Sequence, residues 1–262
     1  GQNDGDKIVA GDKRTPEGIY FFQKLLEGPT LPHDKYGVRA FTMDYPNVFD
    51  RRLKKSGSGI WLHAIPDSES LQRGSRGCVV IRNEAIMDLS QYIVLGKTPI
   101  VIYETTPYAE ANEHQKRNQQ IEEWLGRWLN AWRTKDIDLY ISFYSSEFKG
   151  NGMNRDGWRS YKANLNRNYS EIRVDLLSPI AYEHEENIVV RAIQDYSSDK
   201  HQDFGEKTLY LKKEEGDLKI IEEHWAPLPK SARQQNLATC CTSPVSGADV
   251  GLWSLKLPVG QI

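Results

Sequence analysis

Apolar residues recur at helical spacing in the middle of the chain. Between Asn112 and Arg133 they return every three or four residues, which predicts an amphipathic helix. Its apolar stripe consists of Ile121, Trp124, Leu125, Trp128, Leu129 and Trp132. Shorter runs of the same kind predict further helices over 137–144 and 155–169.

Alternating apolar and polar residues follow these helices. The alternation predicts strands, with a hairpin turn at Glu215-Gly216-Asp217 between the last two. The predicted strands are 170–177, 187–196, 206–213 and 218–225. Helices followed by an antiparallel meander favour an α+β domain, with helices on a curved antiparallel sheet. We place this domain at 109–226.

The first 108 residues have a different pattern, in which strand-length apolar runs are bounded by Gly and Pro. These runs lie within DKIVAGDKRTPEGIYFFQKLL, YGVRAFTMDYP, GSGIWLHAIP and TPIVIYE. One helix is predicted over Asn83–Leu95, ended by Gly96. Residues 1–108 are therefore expected to form a separate, mainly β domain. The tail at 227–262 ends in GLWSLKLPVGQI, which is more apolar than a disordered end usually is. We expect this tail to dock on the body of the protein.

Composition and charge exclude some classes of function. The net charge is -2 and the basic residues form no stripe, so nucleic acid is not an expected partner. No apolar stretch approaches the ~20 residues of a membrane span. The first residues are polar and carry no signal peptide, so we expect that the chain begins after a cleaved or added segment. The three cysteines include the adjacent Cys240 and Cys241, so no disulfide framework is expected.

The remaining cysteine, Cys78, has the surroundings of a nucleophile. It follows Ser75-Arg76-Gly77, and His63 lies 15 residues before it, at the end of a predicted strand. A thiol attacks as its thiolate, which a His partner, a nearby cation or a helix N-terminus favours. Arg76 and the helix predicted from Asn83 could supply the last two. A Cys–His pair performs acyl transfer, and backbone N–H groups around Gly77 and Cys78 could form an oxyanion hole.

A buried structural cysteine and a core histidine are the alternative explanation of these two residues. A zinc site is less well supported, because the other histidines are scattered and no second cysteine lies near. Arg76 could bind a substrate carboxylate or only tune the thiolate.

Four motifs in order extend the argument to roughly residues 5–108: GDKRTPEGIY, AFTMDYPNVFDRR, GSGIWLHAIPDSE and SRGCVVIRNEAI. Together they resemble the YkuD-type L,D-transpeptidase catalytic domain, whose core is a His followed by Ser-x-Gly-Cys. The resemblance implies a β-sandwich-like fold that acts on peptidoglycan stem peptides without a metal or organic cofactor. Cys78 would attack the carbonyl of a meso-diaminopimelate residue and His63 would take the thiol proton. The carbonyl of Ala64, where the family usually has Gly, would orient the imidazole.

Val80 stands where many cross-linking members of this family carry Arg, and Arg82 lies further on. This form is similar to the branch that trims tetrapeptides to tripeptides, which often carries a nuclear-transport-factor-2-like (NTF2-like) second domain. The layout of 112–226 resembles such a domain. We therefore expect a periplasmic L,D-carboxypeptidase that affects cell shape. An L,D-transpeptidase forming 3-3 cross-links and a non-catalytic peptidoglycan-binding module are the alternatives. The second domain would bind glycan or a protein partner.

Five further residues are candidates for substrate binding around Cys78. They are Ser75, Arg76, Tyr45, Trp61 and Arg82. Tyr45 and Trp61 could be cleft walls, although an aromatic residue beside a strand is more often part of a core. In the second domain, 222–225 (Glu-Glu-His-Trp) could line a pocket, but a solvated strand face with Trp225 inside is the favoured interpretation.

Overall fold

The computed structural model describes residues 1–105, 107–108 and 110–229. The chain divides into two compact units between Tyr108 and Ala109. Beyond residue 229, the tail that was expected to dock lies outside the described residues. Among the described residues, no helix combines the length and the apolar character needed to cross a membrane.

The first unit is built on a five-stranded sheet with the order β4-β3-β2-β1-β5. Its elements are β1 (Gly18–Glu27), α1 (His33–Tyr36), β2 (Arg39–Met43), α2 (Val48–Arg52), β3 (Trp61–Ile65), β4 (Val79–Arg82), α3 (Asn83–Ser90) and β5 (Pro99–Ile102). The first half of β1 pairs with β5 and the second half with β2, with an irregularity between Phe22 and Lys24. Such an irregularity bends a strand and lets it serve two neighbours. The mainly β prediction is confirmed.

A core of apolar side chains covers one face of this sheet. Its members are Tyr20, Phe22, Phe41, Met43, Tyr45, Ile60, Leu62, Ala64 and Ile86. The contribution of β3 is Leu62 and Ala64, so Trp61 and His63 point to the opposite face, because side chains alternate along a strand. A site that uses His63 must therefore lie on the face of the sheet opposite this core.

Helix α3 is shorter than predicted. It ends at Ser90, not at Leu95. The Thr98 hydroxyl accepts the Val94 N–H, and the Gly96 N–H donates to the Phe22 carbonyl. These bonds draw residues 92–98 onto β1, where they form turns, so the helical spacing of their apolar residues does not become a helix.

The second unit consists of helices followed by a four-stranded antiparallel sheet with the order β11-β10-β9-β8. Its elements are α4 (Ala111–Arg133), α5 (Ile137–Ser142), β6 (Lys149–Gly150), β7 (Met153–Asn154), α6 (Arg155–Asn168), β8 (Ile172–His184), β9 (Asn187–Ser198), β10 (Gln202–Glu214) and β11 (Asp217–Pro227). The predicted stripe of α4 is buried in the core of this unit. Glu215 and Gly216, both at positive φ, form the two-residue turn between β10 and β11. The predicted α+β architecture is confirmed.

Strand β8 runs well past its predicted end at residue 177. Its register with β9 shifts between Leu177 and Ile180, with Ser178 at φ 48° before Pro179. A bulge tolerates a proline inside a strand and increases its twist. The Ser-Pro pair therefore bends this strand without ending it.

Candidate active site

His63 and the residue before β4, Cys78, lie on neighbouring parallel strands. In the β3–β4 pair, Leu62 is level with Val79 and His63 with Val80. Val79 packs against the same core as Leu62, so Cys78 and His63 share the opposite face of the sheet. Two residues of offset along the strands and one strand spacing between them put their Cα atoms about 8 Å apart. Side chains of this length can meet across that distance.

The imidazole of His63 is buried and oriented by its own strand. Its side chain is 6% exposed, and Nδ1 lies 2.7 Å from the Ala64 carbonyl oxygen. A carbonyl can only accept, so Nδ1 carries the proton and Nε2 has a free lone pair. Burial lowers the pKa of His63, and the hydrogen bond to Ala64 offsets part of that effect. The free protein therefore holds a neutral imidazole with Nε2 ready to accept a proton.

The thiol of Cys78 is also in its neutral form. It donates to the Gly59 carbonyl oxygen at 3.7 Å. Burial raises the pKa of Cys78, and the main-chain N–H of Trp61 acts in the opposite direction. Two neutral groups thus face one sheet surface, and a proton must pass from sulfur to nitrogen before attack.

The turn before Cys78 is held by Ser75. The Ser75 hydroxyl donates to the Cys78 carbonyl at 2.7 Å and accepts the Gly77 N–H at 3.3 Å. Gly77 has φ +125°, and a Cβ there would lie 2.7 Å from the Arg14 carbonyl oxygen. Glycine is therefore needed for its backbone conformation and for close packing. These contacts show that Ser75 shapes the turn, and its role in substrate binding stays a prediction.

Two of the expected activators, Arg76 and the N-terminus of the helix at Asn83, are not among the groups that shift the pKa of Cys78. Helix α3 begins at Asn83, at the far end of β4, roughly 15 Å along the chain from Cys78. Its N-terminus is too distant to favour the thiolate. Arg76 is exposed, and its charge is not among the causes that shift the pKa of Cys78. A role for Arg76 in binding a substrate carboxylate stays a prediction.

The remaining candidates differ in their positions. Trp61 is half-buried on the His63 face, where its ring packs 5.1 Å from the ring of Tyr36. Tyr45 is 5% exposed in the core and donates to the Ser56 carbonyl, so its assignment as a cleft wall is wrong. Arg82 donates to the Glu69 carbonyl at 2.6 Å and thereby anchors the loop that leads to Cys78.

Cys78 opens onto a cavity of about 390 Å³. Other residues lining it include Thr15, Glu17, Val80 and Tyr103. A space of this size accepts a short peptide segment.

The second unit contains a cavity of about 310 Å³, and Glu223 and Trp225, from the 222–225 segment that could line a pocket, are in its wall. Lys162 of α6 lies in its wall with its Nζ 3.7 Å from the centroid of the Trp132 ring. Lys207 of β10 and Glu223 of β11 form an ion pair of 2.6 Å beside it, and both are buried. Contrary to the favoured interpretation, Glu223 points inwards and Trp225 is 39% exposed at the cavity wall.

The two lysines at this second cavity differ in whether an acidic side chain neutralises them. Glu223 is already paired with Lys207 and accepts a hydrogen bond from the Tyr144 hydroxyl at 3.0 Å. Burial acts to raise the pKa of Glu223, but Lys207 and Lys162 lower it overall. Burial lowers the pKa of Lys162 to about 7, although Glu223 opposes this. Among the described residues, Lys162 has no ion pair within 4 Å. Its ammonium faces the cavity over an aromatic ring.

Comparisons with known proteins agree with this division. A family model of the YkuD L,D-transpeptidase catalytic domain matches residues 3–102. A second model, the Cds6 C-terminal NTF2-like domain, matches residues 120–224. Among curated protein sequences, none matches this chain.

Solved structures that resemble this chain over both units include the following two proteins. Bd1075 of Bdellovibrio bacteriovorus is 48% identical, with a TM-score of 0.80, over 87% of this chain and 82% of that one. The helical cell shape determining protein Pgp2 of Campylobacter jejuni is 28% identical, with a TM-score of 0.65, over 85% of this chain and 79% of that one.

Proposed function

The chain belongs to the family that joins a YkuD L,D-transpeptidase catalytic domain to a C-terminal NTF2-like domain, and from this we propose that it is a peptidoglycan L,D-carboxypeptidase. It removes the terminal D-Ala of stem tetrapeptides through an acyl-enzyme on Cys78. The observation that carries the proposal is the shared sheet face of Cys78 and His63, with Nδ1 tied to the Ala64 carbonyl. This arrangement supplies a nucleophile and a base whose tautomer is fixed.

The reaction follows from these two groups. The Cys78 proton passes to Nε2 of His63 as sulfur attacks the carbonyl carbon of the third residue of the stem peptide. The imidazolium then protonates the leaving amine, the bond to D-Ala breaks, and a thioester remains. Water, deprotonated by the same Nε2, attacks the thioester and releases a tripeptide and the free thiol. Backbone N–H groups at Cys78 are the proposed donors to the oxyanion.

Hydrolysis, and not cross-linking, is favoured by the similarity to Pgp2, a helical cell shape determining protein. Val80, in the position where many cross-linking members carry Arg, also supports it. We propose that the enzyme acts in the periplasm and that trimming stem peptides affects cell shape. An amine acceptor in place of water would make the same acyl-enzyme a transpeptidase intermediate.

Mass spectrometry of purified muropeptides tests this function. The full chain is incubated with tetrapeptides, beside Cys78→Ala and His63→Gln. Conversion of tetrapeptide to tripeptide by the wild type alone is the expected result. New 3-3 linked dimers would show that the protein is a transpeptidase and not a carboxypeptidase. Unchanged muropeptides in every sample would contradict both enzymatic activities and favour a binding module.

For the second domain we propose binding of a peptidoglycan segment through the cavity at Lys162. A stem-peptide carboxylate would pair with the Lys162 ammonium, which lies over aromatic rings and has no ion pair within 4 Å among the described residues. The sugar or peptide would pack on Trp132 and Trp158. Lys207 is less suited to this contact because Glu223 already neutralises it. A protein partner is the alternative.

Calorimetry with the Cys78→Ala chain and tripeptide muropeptides tests this binding without turnover. Lys162→Met should weaken binding by at least tenfold, because it removes a charge-assisted hydrogen bond. Lys149→Met, which changes an exposed lysine of the same domain, should leave it unchanged. Equal affinities for both variants would refute the assignment of the cavity.

A further inference from the structure

A short helix that contributes nothing to the core covers the face of the sheet at His63. None of the four residues of α1 (His33–Tyr36) is buried. Tyr36 is half-buried, and its ring meets the His63 ring edge-on, with centroids 5.1 Å apart at 84°. The same ring lies 5.1 Å from Trp61. Tyr36 is thus the side chain by which α1 touches the proposed base.

The chain after Tyr36 is fixed by three close contacts. Gly37 has φ +64°, and a Cβ there would lie 2.5 Å from the Cβ of Ala64 and 2.5 Å from Oδ1 of Asn83. The next N–H, of Val38, donates to Oδ1 of Asn83 at 3.0 Å. Asn83 Nδ2 in turn donates to Asp67 at 3.2 Å. The backbone beside Tyr36 is therefore pressed against Ala64, the residue whose carbonyl orients His63.

We propose that Tyr36 is a positioning residue for His63, and that Asn83 anchors the segment that carries it. One hydrogen bond, from Nδ1 to the Ala64 carbonyl, leaves the imidazole free to rock about that bond. The Tyr36 ring, which stands perpendicular to the imidazole, removes this freedom and keeps water from it. The inference rests on the proposed role of His63 as the base.

The surroundings of His63 give this positioning a measurable signature. From α1, the titratable side chain that contacts the imidazole is Tyr36, through its ring; Cys78, the residue before β4, lies on the same face of the sheet. The other ionisable residues of α1 are exposed: His33, Asp34 and Lys35. The pKa of His63 is lowered chiefly by burial, to which the Tyr36 ring contributes. Removing the ring should therefore move that pKa upwards, towards the ordinary value for histidine.

The test compares Tyr36→Phe, Tyr36→Ala and Asn83→Ala with the wild type, and Gln91→Ala is the control on an exposed amide next to α3. The rate of tripeptide formation is followed between about pH 5 and 8, the range in which histidine titrates. His63 must be neutral to act, so activity falls on the acid side as its pKa is passed. Tyr36→Phe keeps the ring and should retain kcat and the acid limb.

Tyr36→Ala should lower kcat by roughly 10- to 100-fold, the cost of a misplaced catalytic group, and move the acid limb to higher pH. Asn83→Ala should act in the same direction to a smaller extent. A rise in KM with unchanged kcat and an unmoved limb would overturn the proposal, because Tyr36 would then be a substrate wall.

Nuclear magnetic resonance titration of the His63 imidazole, in the Cys78→Ala chain with and without Tyr36→Ala, gives the pKa without any turnover. An unchanged pKa on removing the ring would also overturn the proposal. If the wild type cleaves no muropeptide, the proposed function fails, whereas this titration still decides what Tyr36 does. Melting temperatures identify a variant that does not fold, and Tyr36→Leu then replaces Tyr36→Ala.

Discussion

Replacing Lys162 with Met should stabilise the protein, although it removes a residue that we assign to ligand binding. Lys162 is 7% exposed, and its pKa falls from 10.5 in an open chain to about 7 in the folded one. The gap between these values corresponds to about 5 kcal/mol of unfavourable free energy when the ammonium is buried charged. This figure is a net one, because every interaction of the ammonium in the folded protein, including that with the Trp132 ring, contributes to the shift of its pKa. Met fills similar space without the charge, so the expected gain is up to about 5 kcal/mol at neutral pH.

The pH dependence of this gain has a definite sign. Between pH 7 and 10.5 the unfolded chain holds a proton on Lys162 that the folded chain has lost. The unfolded state then binds more protons, so the wild type gains about 1.4 kcal/mol of stability per pH unit. Met has no proton to exchange. The advantage of Lys162→Met should therefore be greatest at pH 7 and below, and shrink as the pH rises towards 9.

Urea unfolding of the full chain at several pH values measures both effects, with Lys149→Met as the exposed control. Only the difference between variant and wild type is interpreted, so that other titrating groups cancel. A Lys162→Met chain that is less stable than the wild type at pH 7, with a difference independent of pH, would refute the reasoning. Such a result would mean that Lys162 is compensated within the folded chain.

Three further predictions concern the catalytic domain. Alkylation of Cys78 by iodoacetamide, followed by site-resolved mass spectrometry, should be slow at neutral pH and accelerate above pH 9, because burial raises the pKa of its thiol; rapid alkylation at pH 7 would mean a preformed thiolate. Gly77→Ala should lower activity at least tenfold and destabilise the domain by roughly 1–3 kcal/mol in urea unfolding. The reason is that the φ of +125° and the Arg14 carbonyl exclude a Cβ at this position. Wild-type behaviour in both assays would contradict this. Ala64→Gly should leave activity within a few-fold, since the carbonyl to His63 remains, and cost about 1 kcal/mol of stability; a large loss of kcat would give the Ala64 methyl group a role of its own.

The sequence was sufficient to propose Cys78 and His63 as a pair, because both lie in short motifs whose order and spacing resemble a family. Their shared sheet face agrees with this proposal. The long helix α4 was also predictable, since its apolar stripe has a strong helical period. Tyr36 was not, because α1 has four residues and is too short to show any period. The position of Asn83 beside Gly37 depends on a contact between residues far apart in the chain.

The cavity of the second domain illustrates a different limit. Lys207 alternates with Leu209 and Leu211, so strict alternation could have placed it inside. Glu223 could not be placed in this way. Leu211 pairs with Ile220 and Leu209 with Glu223, so β11 contains one extra residue. This bulge turns Ile220 and Glu223 to the same side although they are three residues apart, and nothing in the local sequence marks it.

Burial suppresses charge in both domains, and this has a common consequence for binding. In the free protein, the thiol and imidazole of the catalytic domain are neutral, and Lys162 of the second domain loses its proton near neutral pH. Charge becomes favourable in each site only when a ligand supplies its counterpart: an oxyanion beside the imidazolium, or a carboxylate beside the ammonium. In each site, the charged form of the protein group is unfavourable while the site is empty and binds the ligand most strongly. The ligand itself then supplies the compensating charge. The same reasoning explains why Lys162 would be retained against a cost in stability: a pre-paired lysine such as Lys207 has no charge left to offer.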